Sequence, residues 1–132
     1  MQEGKLLGID YGSKRVGLAI TDPGQEIVFP RETLKNNEHL VPDLVKMCAE
    51  EGVLRVVVGL PLKIDGGDTN QSIITREFAD KFVGESGLEV IFQDEAYTTF
   101  EAEQMMEGNK HLEKDSFSAM KILEHYLKKI KK

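Results

Sequence analysis

The chain has a single cysteine, Cys48, so no internal disulfide can staple it. No apolar run approaches the ~20 residues of a membrane span, and no signal-peptide pattern follows Met1. Those absences point to the cytoplasm. No repeat, low-complexity tract or linker interrupts the sequence, and 132 residues suit one domain, 1–132, with its own core. An excess of basic residues is also missing. The net charge is −6, which counts against a nucleic-acid partner. The distribution qualifies that: residues 1–109 balance at −10 and residues 110–132 at +4, ending Lys128-Lys129-Ile130-Lys131-Lys132. An acidic body with a basic tail fits a metal-binding surface with separate cationic anchors. It fits an ordinary solvated helix end equally well, because lysines favour helix C-termini.

The elements can be read from hydrophobic period. Lys5–Asp10 and Arg15–Thr21 read as a hairpin about Tyr11-Gly12-Ser13-Lys14, and Asp22-Pro23-Gly24 turns the chain into a third strand around Glu26–Thr33. In the second strand Val16, Leu18 and Ile20 alternate with Gly17 and Ala19, giving one bulky face and one that admits close approach. Val41, Leu44, Val45 and Cys48 then mark one face of a helix ending near Gly52. Arg55–Gly59 carries the continuous run of a strand buried on both faces. A helix presenting Ile74, Phe78 and Phe82 follows the Asp65–Thr69 loop, and Glu89–Gln93 is a fifth strand. Thr98 and Glu101 match a capping box for a short helix to about Glu107. The last helix is expected to bury Met120, Leu123, Leu127 and Ile130. A meander followed by helix–strand alternation predicts an α/β fold: a ribonuclease H-like mixed five-stranded sheet with helices on both faces.

Acids sit at the ends of these elements. Asp10 closes the first strand, Asp94 and Glu95 close the fifth, and Asp115 opens the last helix. Each has a plain alternative: a turn former at Asp10, charge placed before a helix at Asp94-Glu95, an N-cap at Asp115. Adjacent strand residues point to opposite faces, so one of Asp94 and Glu95 faces the site, and Glu95 is preferred. Carboxylates that converge and cannot neutralise one another call for a divalent cation, which suits metal-dependent phosphoryl chemistry. Lys14 and Arg15 suit a phosphate contact, and Gly66-Gly67 ahead of a helix can offer backbone N–H groups to one. Both also read as ordinary turn residues. Thr98 and Thr99 read as structural first. Cys48 reads as core, and His39, His111 and His125, lacking ligand spacing, as surface.

Four segments resemble one family. Gly8-Ile9-Asp10-Tyr11-Gly12-Ser13-Lys14-Arg15-Val16-Gly17-Leu18-Ala19 resembles the D-x-G-x-K-R-I-G-x-A opening of the YqgF/RuvX family. Val57-Val58-Gly59-Leu60-Pro61-Leu62 with Asp65-Gly66 is similar to V-V-G-L-P-L…D-G, and Asp94-Glu95-Ala96-Tyr97-Thr98-Thr99 with Glu101-Ala102 to D-E-R-L-T-T-x-E-A. Asp115-Ser116-Phe117-Ser118-Ala119, with Ile122-Leu123 and Tyr126-Leu127, resembles the closing D-x-x-A-A…I-L…Y-L. The resemblance spans nearly the whole chain. It implies a bacterial nuclease, described first as a Holliday junction resolvase and then as maturing the 5′ end of pre-16S ribosomal RNA. It implies Asp10, Glu95 and Asp115 as catalytic acids, with Asp94 in support and all four as metal ligands, holding Mg²⁺ or Mn²⁺ as two ions. Lys14, Arg15, Gly66, Gly67, Thr98 and Thr99 become candidate nucleic-acid contacts. The expected partner is structured RNA, as pre-16S rRNA or a ribosomal particle, with DNA junctions as the alternative and no membrane; the expected state is monomer or homodimer. Two departures bear on substrate grip: Ala96 stands where the family has arginine, and Asp68–Ser72 lacks the family's basic residue. Two alternatives remain: a domain of the actin and sugar-kinase type, whose phosphate-1 hairpin Asp10–Ala19 also resembles, and a module that binds nucleic acid without cutting it.

Overall fold

The computed structural model describes residues 3–95 and 114–131. In chain order the described elements are β1 (Lys5–Tyr11), β2 (Arg15–Thr21), β3 (Val28–Lys35), α1 (Leu40–Glu51), β4 (Val53–Leu60), α2 (Asn70–Ser86), β5 (Val90–Asp94) and α3 (Lys114–Ile130). The sheet order is β3-β2-β1-β4-β5. β1 pairs antiparallel with β2, and β2 with β3; β4 runs parallel to both β1 and β5. This is the mixed ribonuclease H-like sheet expected from the element order. The third strand begins two residues later than its sequence pattern suggests, after Asp22 Oδ1 accepts the N–H groups of Glu26 and Ile27 and so prolongs the turn.

Each face of the sheet carries its own core. On one, Leu7, Ile9, Val16, Leu18, Ile20, Val56 and Val58 pack under α1 and α2, through Leu44, Cys48, Phe78 and Phe82. On the other, Leu6, Ala19 and Val57 meet Ala119, Ile122, Leu123, Tyr126 and Leu127 of α3. The small residues of β2 therefore admit α3. Two sequence expectations fail at helix edges. Ile74 is exposed, and Thr75 takes the buried position beside Phe78, Ala79 and Phe82. Ile130 is also exposed, beyond Leu127, the last buried residue of α3, while Met120 is only partly buried.

Local chemistry sets the helix ends. α1 stops at Gly52, whose φ of 69° is left-handed and whose N–H reaches Cys48 O. α2 starts at a capping box: Thr69 Oγ1 accepts from Ser72 N at 3.0 Å while Ser72 Oγ accepts from Thr69 N at 2.8 Å. Among the described residues no helix is long and apolar enough to cross a membrane.

Cys48 is buried as expected, and burial pushes its thiol up to about 11 from an ordinary 9.0. The folded state thus favours the neutral thiol. That preference is fully present below about pH 9 and is lost as pH rises toward about 11. The expected result at pH 8 is that native protein reacts with a thiol–disulfide reagent at least about 100-fold more slowly than urea-unfolded protein, since two pKa units separate their thiolate fractions. Equal rates would place Cys48 at the surface.

Candidate active site

Strand parity decides which acids share a face. In β1, Leu7 and Ile9 face α1 and α2, so Leu6, Gly8 and Asp10 face α3. Asp10 lies opposite Gly17 of β2 and, one residue beyond the Ile9–Val58 pair, level with Gly59 of β4, which lies beside Gln93 of β5. One row thus crosses the sheet: Gly17, Asp10, Gly59, Gln93. Glu95, two residues past Gln93, falls on the same face, whereas Asp94 lies beside Leu60 on the opposite face and is exposed. The structure brings Asp10, Glu95 and Asp115 to the α3 face and leaves Asp94 off it.

Glycines let α3 come down onto this row. A Cβ on Gly17 would lie 2.1 Å from Asp115 O and 2.8 Å from Asp115 Cβ. A Cβ on Gly59 would lie 2.8 Å from Glu95 Cγ and 2.5 Å from Ile122 Cδ1. Asp115 is in the first turn of α3, one residue inside it, so it is not the N-cap; the helix N-terminus still favours its negative charge. Arg15 Nε stands 3.4 Å from Asp115 Oδ2. Glu95 donates its N–H to Leu60 O at 3.0 Å, which holds the chain to β4 beyond the end of β5. Its side chain is 6% exposed, and His125 Nδ1 lies 3.7 Å from its Oε1. His125 is therefore not the surface residue its sequence context suggests, although His39 is.

The loop after Asp10 is clamped from two sides. Gln71 Nε2 of α2 donates to Tyr11 O at 2.9 Å, and Asn36 Nδ2 donates to Gly12 O at 2.7 Å. The Tyr11 ring stacks on Phe78 with centroids 4.3 Å apart. Lys14 and Arg15 are exposed in this turn. At the Gly66-Gly67 loop, Gly67 N donates to Asp65 Oδ1 and Gly66 N to Lys63 O, so both amides serve the turn itself. Next to it, the Ser72 hydroxyl and the Arg76 guanidinium hold the Asp68 carboxyl below its usual range. Lys131 Nζ donates to Gln25 O at 2.7 Å, tying the end of the basic tail to the β2–β3 turn, while Lys128 and Lys129 are exposed. Thr98, Thr99, Ala96, His111 and the helix expected to about Glu107 lie outside the described residues.

The donor set fits a hard cation, since carboxylate oxygens are the ligands that Mg²⁺ and Mn²⁺ prefer. The glycines at Gly17 and Gly59 clear the space that these acids occupy. Among the described residues, no three His, Cys, Asp or Glu side chains are grouped closely enough to hold an ion. Arg15 beside Asp115 and His125 beside Glu95 show where two of the acids are engaged. Four residues escaped sequence reading, one of them Asn36, which directly follows β3. Gln71 and His125 are brought in by helices remote in sequence. Gln93 Oε1 is buried in the row of Asp10, with no hydrogen-bond partner among the described residues. Its only local signal was its parity with Glu95.

A family model described as RuvX, Holliday junction resolvase, matches residues 4–129. A protein of Sulfurihydrogenibium sp. named "Putative pre-16S rRNA nuclease" is 33% identical over 132 residues, covering 96% of this chain and 91% of its own. A relative of the same name from Rickettsia typhi is 33% identical over 135 residues, with 96% and 86% covered. Among solved structures, Thermus thermophilus RuvC in complex with a Holliday junction substrate superposes with a TM-score of 0.66 at 15% identity, covering 96% of each chain. The fowlpox virus resolvase in complex with Holliday junction DNA gives 0.59 at 15% identity, covering 97% of this chain and 99% of that one. At such identities the likeness is one of fold.

Proposed function

The chain belongs to the RuvX family, and from that membership we propose that it is a metal-dependent nuclease acting in maturation of the 5′ end of pre-16S ribosomal RNA. The observation that carries the reading is the placement of Asp10 and Glu95 on the sheet face that α3 covers, with Asp115 in the first turn of α3 and Gly17 and Gly59 clearing the space between. The names of the relatives favour RNA over DNA junctions.

Asp10, Glu95 and Asp115 would hold Mg²⁺ or Mn²⁺, as two ions. A metal bound there supplies an activated water and neutralises charge on the phosphate and leaving oxygen. The chain's own residues do the rest. Gln71 and Asn36 fix the turn that follows Asp10, so its carboxylate is positioned before substrate arrives. Lys14 and Arg15 are the phosphate contacts at the rim, and Lys128 and Lys129 are more distant backbone contacts. Burial of Glu95 beneath α3 limits the water competing for its oxygens.

The test is cleavage of a labelled precursor 16S RNA fragment in Mg²⁺, Mn²⁺ or EDTA, beside a four-way DNA junction. Metal-dependent cutting of the RNA alone is expected. Selective cutting of the junction would make the protein a resolvase, a role that calls for a dimer with two symmetric sites. No cleavage of either substrate, or of an assembled ribosomal particle, would leave a module that binds without cutting.

A further inference from the structure

Asp115 is held by the same cation that is suited to meet the substrate. Arg15 Nε lies 3.4 Å from Asp115 Oδ2, and the two partners differ in freedom. The Asp115 backbone is wedged onto Gly17, where no side-chain atom would fit, so Asp115 stays where α3 puts it. The Arg15 side chain is 66% exposed and can swing. A carboxylate facing a guanidinium is a poorer metal ligand, and a guanidinium facing a carboxylate is less available to a phosphate. Each contact of Arg15 excludes the other.

Resting on the nuclease reading above, we propose that Arg15 couples nucleic-acid binding to metal binding. It occupies Asp115 until a substrate phosphate draws its guanidinium outward, and that movement releases the carboxylate to the cation. Linkage makes the coupling reciprocal: the metal-loaded protein holds RNA more tightly by the same factor that RNA tightens the metal. Lys14 is the internal control. It carries the same charge in the same exposed turn. If charge alone mattered, the two residues would be equivalent.

The experiment is a Mn²⁺ titration, read by the electron paramagnetic resonance of free Mn²⁺, on full-length wild type, Arg15→Gln, Lys14→Gln and Asp115→Asn. Each is run with and without a short phosphorothioate RNA hairpin that resists cleavage. Without RNA, Arg15→Gln is expected to bind Mn²⁺ about 1.5- to 5-fold more tightly than wild type, the range for loss of a solvent-accessible ion pair. Lys14→Gln should stay near wild type. The hairpin should tighten Mn²⁺ binding by wild type and have little further effect on Arg15→Gln. Unchanged affinity in Arg15→Gln, or an equal gain in Lys14→Gln, would overturn the coupling. Undiminished Mn²⁺ binding by Asp115→Asn would instead overturn the metal reading beneath it, and the coupling with it.

Discussion

Asp10→Asn is expected to lower the cleavage rate about a thousandfold, the scale on which losing one preorganised electrostatic group acts. Asp10 is the acid at the middle of the sheet, between Gly17 and the level of Gly59. No other residue of that row carries a charge. Asparagine keeps the shape and one oxygen but removes the negative charge that would hold a divalent cation. The fold should be untouched, because the backbone pairing of this half-buried position with Gly17 is indifferent to the side chain. A melting temperature within about 2 °C of wild type, under 1 kcal/mol for a chain of this size, is the accompanying expectation. Full metal-dependent activity in the variant would remove Asp10 from the mechanism.

Gly17→Ala should produce the largest loss of stability among the glycine substitutions that leave backbone φ unstrained. The new methyl would meet Asp115 O at 2.1 Å and Asp115 C at 2.5 Å, and both are backbone atoms that cannot rotate away. Either β2 bends or the N-terminal turn of α3 lifts, and overpacking of this kind costs roughly 3 kcal/mol. The melting temperature should then fall by about 10 °C. Because the lifted turn carries Asp115, activity measured well below the transition should fall as well. Gly84→Ala is the counterpart. Gly84 lies within α2, and a methyl added there would meet nothing within 4 Å, so alanine should stabilise by about 0.5–1 kcal/mol through helix propensity. Equal melting temperatures for the two variants would mean that α3 does not rest on Gly17.

Much of this is legible in the sequence because it depends on local period. The alternation of Val16, Leu18 and Ile20 with Gly17 and Ala19 reflects the two-residue repeat of a strand, and both faces behave as the pattern says. The run Val56–Val58 is buried on both faces because α1 and α2 cover Val56 and Val58 on one side of the sheet and α3 covers Val57 on the other. Local spacing misleads where a helix face is centred by its packing rather than by its most apolar residues. Ile74 is spaced correctly from Phe78 and Phe82, yet the buried stripe is centred on Thr75, Phe78, Ala79 and Phe82, and Ile74 lies outside it.

The candidate site divides along the same line. Sequence alone determined which acids stand at element ends, that one of Asp94 and Glu95 must turn away from the other, and that one face of β2 would admit close approach. Only tertiary structure decided that the approaching element is α3, residues 114–130, that Glu95 rather than Asp94 shares the face of Asp10, and that Arg15, His125, Gln71 and Gln93 stand where they do. The reason is one of range. Backbone geometry sets the two- and 3.6-residue periods within a few neighbours. The meeting of Gly17 with Asp115 or of Tyr11 with Gln71 joins residues 98 and 60 positions apart, and such contacts exist only once both cores have closed.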